Sequence, residues 1–284
     1  MIAVNLKGGL GNQMFQYAFG RCLSLQNKQE LVLDTTFLLD RRPVEGFIFR
    51  DYDLDIFNLK VKQVNLGEVS LLRKKKYEFI FKRGLKQVKE KVFHYDPSVT
   101  NPPAPGGYYD GYWQTEKYFK PVEKTIREDF TLKHELPANS SDLHRSILDS
   151  NSVCLNFRRT DFLKSSVMGV PDDVYYDNSI KHMAEKVNDP VFFVFSDDIQ
   201  WCRQNIKINF PLVFVDHEHA GKKFENYLRL MVSCKNFIIP NSSFAWWAAY
   251  LGENPSKNII APAKWFNDFD GDTKDLIPES WTRI

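Results

Sequence analysis

From about residue 150 onward the chain alternates short apolar runs with amphipathic segments, and few architectures accommodate that order. The apolar runs are 153–157, 191–195, 212–215, 236–239 and 258–260, and helical patterns fill 174–187, 198–206, 224–234 and 243–251. Each parallel crossover needs a connection long enough for a helix, so the order predicts an α/β domain whose parallel sheet is covered on both faces. Ligands of such sheets bind beyond the carboxyl ends of the strands. Functional side chains are therefore sought where each run stops.

The other half also opens as strand, loop and helix. Ile2 to Leu6 reads as a strand, Lys7 to Asn12 as a glycine-rich loop, and Gln13 to Leu25 as a helix with Phe15, Phe19 and Leu23 on one side. A second strand over Leu31 to Leu33 ends at Asp34, and Asn101 to Gly107 (NPPAPGG) is a loop. At 284 residues the chain can build two cores. Pro137, Asn139, Ser140 and Ser141 mark the division, which is expected to separate residues 1–150 from 151–284.

Charge excludes one class of partner. Lys and Arg number 38 against 36 Asp and Glu, so no overall field favours nucleic acid. Cys22, Cys154, Cys202 and Cys234 are scattered in apolar segments without CxxC spacing, as expected of reduced thiols in a cytoplasmic protein. No leader-like run precedes the first strand and no stretch approaches the roughly 18 apolar residues of a membrane span. Between Arg73 and Lys91, however, nine Lys or Arg residues face two Glu, with Leu71, Leu72, Phe79, Phe81, Leu85 and Val88 interleaved. A solvated helix face explains this by default; peripheral contact with an anionic membrane, at its inner face, is the sharper expectation.

The first strand of the second half stops on Arg158, Arg159, Thr160 and Asp161. Two cations and a carboxylate are costly to desolvate, and guanidinium groups match phosphate oxygens in bidentate geometry. The structural alternative pairs one arginine with Asp161 and leaves the other in solvent. The next strand ends on Ser196, Asp197 and Asp198. A later one ends on Asn241, Ser242 and Ser243, where a helix start presents N–H groups and a positive dipole end; a plain N-cap is the simpler role for the two serines.

Other motifs are weaker. Gly9, Leu10 and Gly11 begin a GxGxxG with Asp34 placed as a ribose-binding acid, yet Met14 stands where the third glycine belongs, which counts against a nicotinamide or flavin site. Asp51, Asp53 and Asp55 form a DxD series that also describes the polar face of an exposed strand. His217 and His219 lack zinc spacing and suit a surface turn, and Asp268, Asp270 and Asp272 carry Gly271 too early for a calcium loop. No metal is expected. No Ser-His-Asp or Cys-His set assembles, so covalent hydrolysis is not suggested.

Five segments in order, GGLGNQMFQYAFG at 8–20, GYWQTEKYF at 111–119, NFRRTDF at 156–162, FSDD at 195–198 and NSSFAWWAAYL at 241–251, resemble the bacterial α-1,2-fucosyltransferases of glycosyltransferase family eleven. The resemblance continues to APAKWF at 261–266 and covers nearly the whole chain. It implies a GT-B fold of two Rossmann-like halves facing a donor cleft, with residues 1–150 on the acceptor side and 151–284 binding the nucleotide sugar. It further implies GDP-L-fucose as donor, a galactose-terminated oligosaccharide or lipid-linked glycan as acceptor, and metal-independent inversion to an α-1,2 product. A transferase without a metal must neutralise its diphosphate leaving group with cations and N–H groups.

Carried over, Arg158 holds the β-phosphate and Arg159 braces its loop, with Asp161 orienting it and standing as an unproven catalytic base. Ser242, Ser243 and Asn241 meet the diphosphate, Asp197 the ribose or guanine, and Gly11 and Asn12 approach the donor near the fucose. Trp113 and Gln114 are acceptor-side candidates, a core role for the tryptophan being the alternative. Asn156 departs from the family, whose members usually carry His there; as a hydrogen-bonding group beside the nucleotide, Asn can substitute. The rival classes are a nicotinamide-dependent oxidoreductase and a catalytically inactive sugar-binding relative.

Overall fold

The computed structural model describes residues 1–42, 48–100 and 106–284. Most of the Asn101–Gly107 loop expectation thus lies outside the described residues. The chain forms two compact units, one of Met1–Lys133 with Gly271–Pro278 and another of His134–Asp270 with Glu279–Ile284.

The first unit contains β1 (Ile2–Asn5), α1 (Leu10–Asn27), β2 (Leu31–Asp34), β3 (Lys62–Val64), α2 (Leu71–Phe79), β4 (Lys86–Lys89), α3 (Pro97–Thr100), β5 (Gly107–Asp110) and α4 (Glu123–Asp129). Its five strands are all parallel in the order β3-β2-β1-β5-β4. The chain moves outward from β1 through β2 to β3, then crosses to the other side, so the strand order reverses between β1 and β5.

Helix α1 begins at Leu10, a turn earlier than the expected Gln13, with Gly9 at its N-cap. Met14, Phe15, Ala18, Phe19 and Leu23 are buried along it, and Phe19 stacks on Trp113 at 4.2 Å between ring centroids. Close packing on the sheet comes from Gly20: a Cβ there would lie 2.7 Å from Val4 Cγ2 and 2.8 Å from Leu31 Cδ1. The helix-to-strand contact that position 14 makes in a dinucleotide fingerprint is displaced six residues along the chain, and Asp34 is taken up by Tyr108 Oη at 2.9 Å. Asp51 to Asp55 do not form the exposed strand expected of their alternation; a 3₁₀ turn at Leu54–Ile56 buries Leu54 and Ile56 instead.

The second unit contains α5 (Ser141–Asp149), β6 (Asn151–Phe157), α6 (Asp173–Lys186), β7 (Pro190–Ser196), α7 (Ile199–Asn205), β8 (Leu212–Phe214), α8 (Glu225–Val232), β9 (Asn236–Ile238), α9 (Ser243–Leu251), β10 (Ile259–Ala261) and β11 (Thr282–Arg283). Its six strands are parallel in the order β11-β10-β9-β6-β7-β8. The order reverses between β6 and β9. Strands β6, β7 and β9 are buried almost throughout, which is why they read as continuous apolar runs rather than alternating ones. Helix α9 is apolar all round and is buried from Ala245 to Leu251.

The division falls between Lys133 and His134 rather than at 150. Helix α5 sinks Ile147 into the second unit, His144 Nε2 lies 2.9 Å from Ser233 Oγ, and Ser140 Oγ lies 2.9 Å from His219 Nδ1. Near the other end the chain returns to the first unit, where Asp275 accepts from Lys117 Nζ at 2.6 Å and Tyr95 N at 3.0 Å. The chain is an α/β protein of two Rossmann-like units, the GT-B type.

Candidate active site

Ligands of open parallel sheets bind where the strand order reverses. In the second unit that point lies between β6 and β9. Beyond β6 comes the arginine turn, and beyond β9 comes Asn241 to Ser243 at the start of α9.

The turn is fixed from β7. Asp197 accepts Arg159 N at 2.9 Å and Thr160 N at 3.0 Å, and also takes the Thr160 hydroxyl. Arg158 Nη1 lies 3.4 Å from the same carboxylate and its Nη2 lies 2.8 Å from Asp161. The guanidinium is thus held between two acids while its side chain keeps 28% of its surface open. Ion pairs of this exposure contribute at most about 1 kcal/mol to stability, so their consequence is orientation. Arg159 is not in solvent. Its guanidinium carbon sits 3.3 Å from the centroid of the Trp201 ring on α7, a cation–π contact that anchors the turn to that helix.

Three assignments change. Asp197, expected on the ribose or guanine, commits its oxygens to the turn and positions Arg158. Asn156 is buried and donates Nδ2 to Phe195 O at 3.0 Å, which ties β6 to β7. Asn241 donates Nδ2 to Met168 O at 2.7 Å and Trp265 O at 2.9 Å, fastening two loops beneath α9. Ser242 occupies the N-cap in extended backbone but makes no capping bond through its side chain. Ser242 thus takes the N-cap position of the simpler reading while leaving the helix start without a side-chain partner, and the first-turn N–H groups of α9 keep their capacity for an anion.

Two tyrosines that sequence reasoning passed over support these strand ends. From α6, Tyr175 Oη donates to Ile239 O at 2.5 Å and Tyr176 Oη donates to Asn156 O at 3.1 Å. Both are buried, and desolvation pushes both phenols far above their ordinary range, so they remain donors. Their one signal in the sequence is an adjacent Tyr pair in the first turn of a helix that follows the arginine motif.

In the first unit the reversal lies between β1 and β5, and there the segment after β5 meets the first turn of α1 directly. Gln114 Nε2 donates to Asn12 Oδ1 at 2.6 Å. Gly8 adopts φ +80, and a Cβ at this position would fall 2.3 Å from Asn12 Nδ2, so only glycine lets the loop close over that amide. Buried glutamines from α1 hold the rest. Gln16 Nε2 reaches Lys7 O and Gly111 O, and Gln13 Nε2 reaches Gly8 O and Asp51 O. Sequence reasoning missed both, although two amides on an otherwise apolar helix face were the available signal.

Trp113 does not fit an acceptor site. It is completely buried, with φ +57, packed on Phe19, Tyr109 and Tyr118. Glu90 holds it in that conformation by accepting Tyr112 N at 2.7 Å and Trp113 N at 2.9 Å. Burial raises the Glu90 pKa, against those two bonds and the nearby Lys7. Among the described residues no three His, Cys, Asp or Glu side chains converge as a metal centre would require.

Comparison with known proteins accounts for the whole length. The family model described as glycosyl transferase family 11 matches residues 1–284. An α-1,2-colitosyltransferase of Escherichia coli is 32% identical, covering 100% of this chain and 99% of that protein. The O-antigen biosynthesis glycosyltransferase WbnK of Escherichia coli is 30% identical, covering 98% of this chain and 99% of that protein. The galactoside 2-α-L-fucosyltransferase Sec1 of Mus musculus is 23% identical over 88% of this chain and 64% of its own length. Among solved structures, the α-1,6-fucosyltransferase NodZ co-crystallized with GDP aligns with a TM-score of 0.50 at 13% identity, over 88% of this chain and 92% of that one. That likeness concerns the fold.

Proposed function

The chain belongs to glycosyl transferase family 11, and from that premise we propose that it transfers L-fucose from GDP-β-L-fucose to the 2-hydroxyl of a terminal β-galactoside, with inversion. The observation that carries the reading is the turn Arg158–Asp161, a cation held by two acids at the strand-order reversal beside the first turn of α9. In one displacement the acceptor oxygen forms its bond to the anomeric carbon as the bond from that carbon to the β-phosphate oxygen breaks. The ring passes through an oxocarbenium-like transition state, the acceptor proton passes to a base, and GDP leaves.

Charge grows on the phosphate oxygen as the bond breaks, so a cation oriented in advance lowers the barrier more than it strengthens ground-state binding. Arg158 takes that role, with Ser242, Ser243 and the first turn of α9 as N–H and hydroxyl donors. Asp161 orients Arg158 and is the candidate base of this turn. No divalent cation is required in this reading, because guanidinium and N–H donors supply the charge. Asn12, at the start of α1 and joined to Gln114, belongs to the sugar-binding edge of the first unit, with Gly11 beside it. The galactoside acceptor rests on the likeness to galactoside fucosyltransferases.

A second reading keeps the site and changes the donor sugar to colitose, which lacks the 3-hydroxyl of L-fucose. The full-length likeness to a colitosyltransferase favours it. The deciding experiment incubates the purified chain with lactose and either GDP-L-fucose or GDP-colitose, and assigns the product linkage by NMR. An α-1,2-fucosylated product supports the first reading. Turnover of GDP-colitose alone moves the assignment to the second, and no transfer from either donor to lactose or related galactosides overturns both.

A further inference from the structure

The basic segment of the first unit resolves into parts with different roles. Helix α2 is followed by a π-helical turn at Ile80–Gly84 and by β4, so the segment is not one continuous solvated helix. Strand β4 lies at the edge of its sheet, and Lys86 and Lys89 there are accounted for as charges that block edge pairing. Helix α2 has no such explanation.

Its inner side is already satisfied. Phe81, just beyond it, is buried with Ala3, Val32 and Val64, and Tyr77 and Ile80 pack against the same cluster. The Tyr77 and Phe81 rings lie 5.5 Å apart, and Phe81 lies 5.3 Å from Tyr108. At about 3.6 residues per turn, Leu72, Lys75, Lys76 and Phe79 share the side opposite Tyr77. There Leu72 is 84% exposed and Phe79 62%, with Leu71 beside them at 77%. A helix that has buried one apolar side and still shows Leu, Leu and Phe on the other is not paying for a core.

Charge identifies what covers that side. Arg73 to Lys91 carries nine cations against two acids, whereas the whole chain is only +2, so the remainder is net negative and the positive field is local. Lys75 and Lys76 lie among the exposed apolar residues, and Arg73, Lys82 and Arg83 are exposed around them. Apolar side chains that enter a headgroup layer, flanked by cations that meet its phosphates, are how an amphipathic helix lies on an anionic lipid surface.

We propose that the outer side of α2 docks this chain on an anionic lipid bilayer, inserting Leu71, Leu72 and Phe79 while Lys75, Lys76, Lys82 and Arg83 contact lipid phosphates. This surface is independent of the transfer chemistry.

The full chain is sedimented with vesicles of phosphatidylcholine containing phosphatidylglycerol and with vesicles of phosphatidylcholine alone. Retention on the anionic vesicles only is expected. Lys75→Glu/Lys76→Glu is expected to weaken partitioning by roughly tenfold or more, and Leu72→Ser/Phe79→Ser is expected to reduce it with the cations intact. Equal recovery with both vesicle types overturns the proposal, as does either folded double variant sedimenting like the wild type. Folding is checked by circular dichroism and melting temperature. If a variant does not fold, the wild-type comparison between the two vesicle types decides alone.

Discussion

Asp197 Oδ2 lies 3.4 Å from Arg158 Nη1, and the same carboxylate accepts the two main-chain N–H groups that follow Arg158. One acid just beyond β7 therefore fixes both the path of the turn and the direction of its cation. The acid comes from the strand beside the one that carries the arginine, so the pairing of β6 with β7 is what brings the two residues together.

In the proposed reaction Arg158 is the charge that answers the departing diphosphate, and Arg158→Ala removes it. Loss of one preorganised donor to a developing anion costs about 10²–10³ in kcat, and that loss is expected in transfer from GDP-L-fucose, with the melting temperature little changed because the side chain is partly open. Arg158→Lys keeps the charge but loses the fork that engages two acids, so it should recover only part of the rate. Wild-type turnover by a folded Arg158→Ala enzyme would refute the assignment.

Asp197→Asn acts at one remove. The amide can accept one of the two N–H groups, but its NH₂ faces the other, leaving a donor unpaired at a cost of about 1–3 kcal/mol. Both a lower melting temperature and a lower kcat with GDP-L-fucose are expected, since Arg158 loses one of its two holders and is no longer aimed in advance at the developing charge. A variant that melts early but keeps its kcat at a temperature where it is folded would show that Asp197 supports the fold alone.

The strand ends were legible because parallel, doubly covered strands must be continuous apolar runs, and the first polar residue after each run marks the end. That logic placed Arg158, Asp161 and Ser242 at one edge of one sheet. It could not show which polar groups turn inward. Asp197, Asn156 and Asn241 look like ligand-binding residues in a sequence, and each also makes hydrogen bonds to main chain that hold the strand ends. Trp113 fits a sugar-stacking platform by composition, yet the buried stack with Phe19 claims it. Position 14 lacked the glycine of a dinucleotide fingerprint, and the same close approach is made at Gly20, a substitution of place that periodicity does not reveal.

The Gln114–Asn12 bond joins the segment after β5 to the first turn of α1 at the strand-order reversal of the first unit, and a double-mutant cycle tests whether it matters to transfer. Asn12→Ala and Gln114→Ala are each expected to lower kcat/KM, and the double variant should lose less than the sum, with a coupling of about 0.5–3 kcal/mol. Strict additivity in kcat/KM would mean that the bond fastens loops without positioning a substrate-binding amide.

Asp110, at the end of β5, gives the first unit a defined acid sensitivity. Burial acts to raise its pKa, but hydrogen bonds from Lys7 and Asn5, together with the Lys7 charge, outweigh it and hold the carboxyl below 3.8. The bonds are short, 2.9 Å from Lys7 Nζ and 3.0 Å from Asn5 Nδ2. A carboxyl that ionises more readily folded than unfolded adds stability that is complete above its unfolded pKa and lost as pH falls through its folded value. Near neutral pH, Asp110→Asn should therefore melt below the wild type, because Lys7 loses its counter-ion. As pH drops below about 4, the unfolded value, the gap should begin to shrink; once pH falls through the lower folded value the wild-type carboxyl is protonated, its bond to Lys7 loses the charge, and the two melting temperatures should converge. Thermal melts of both proteins along a pH series measure the gap; a gap that stays constant into the acid range would mean that Asp110 contributes through shape and neutral hydrogen bonding rather than through its charge.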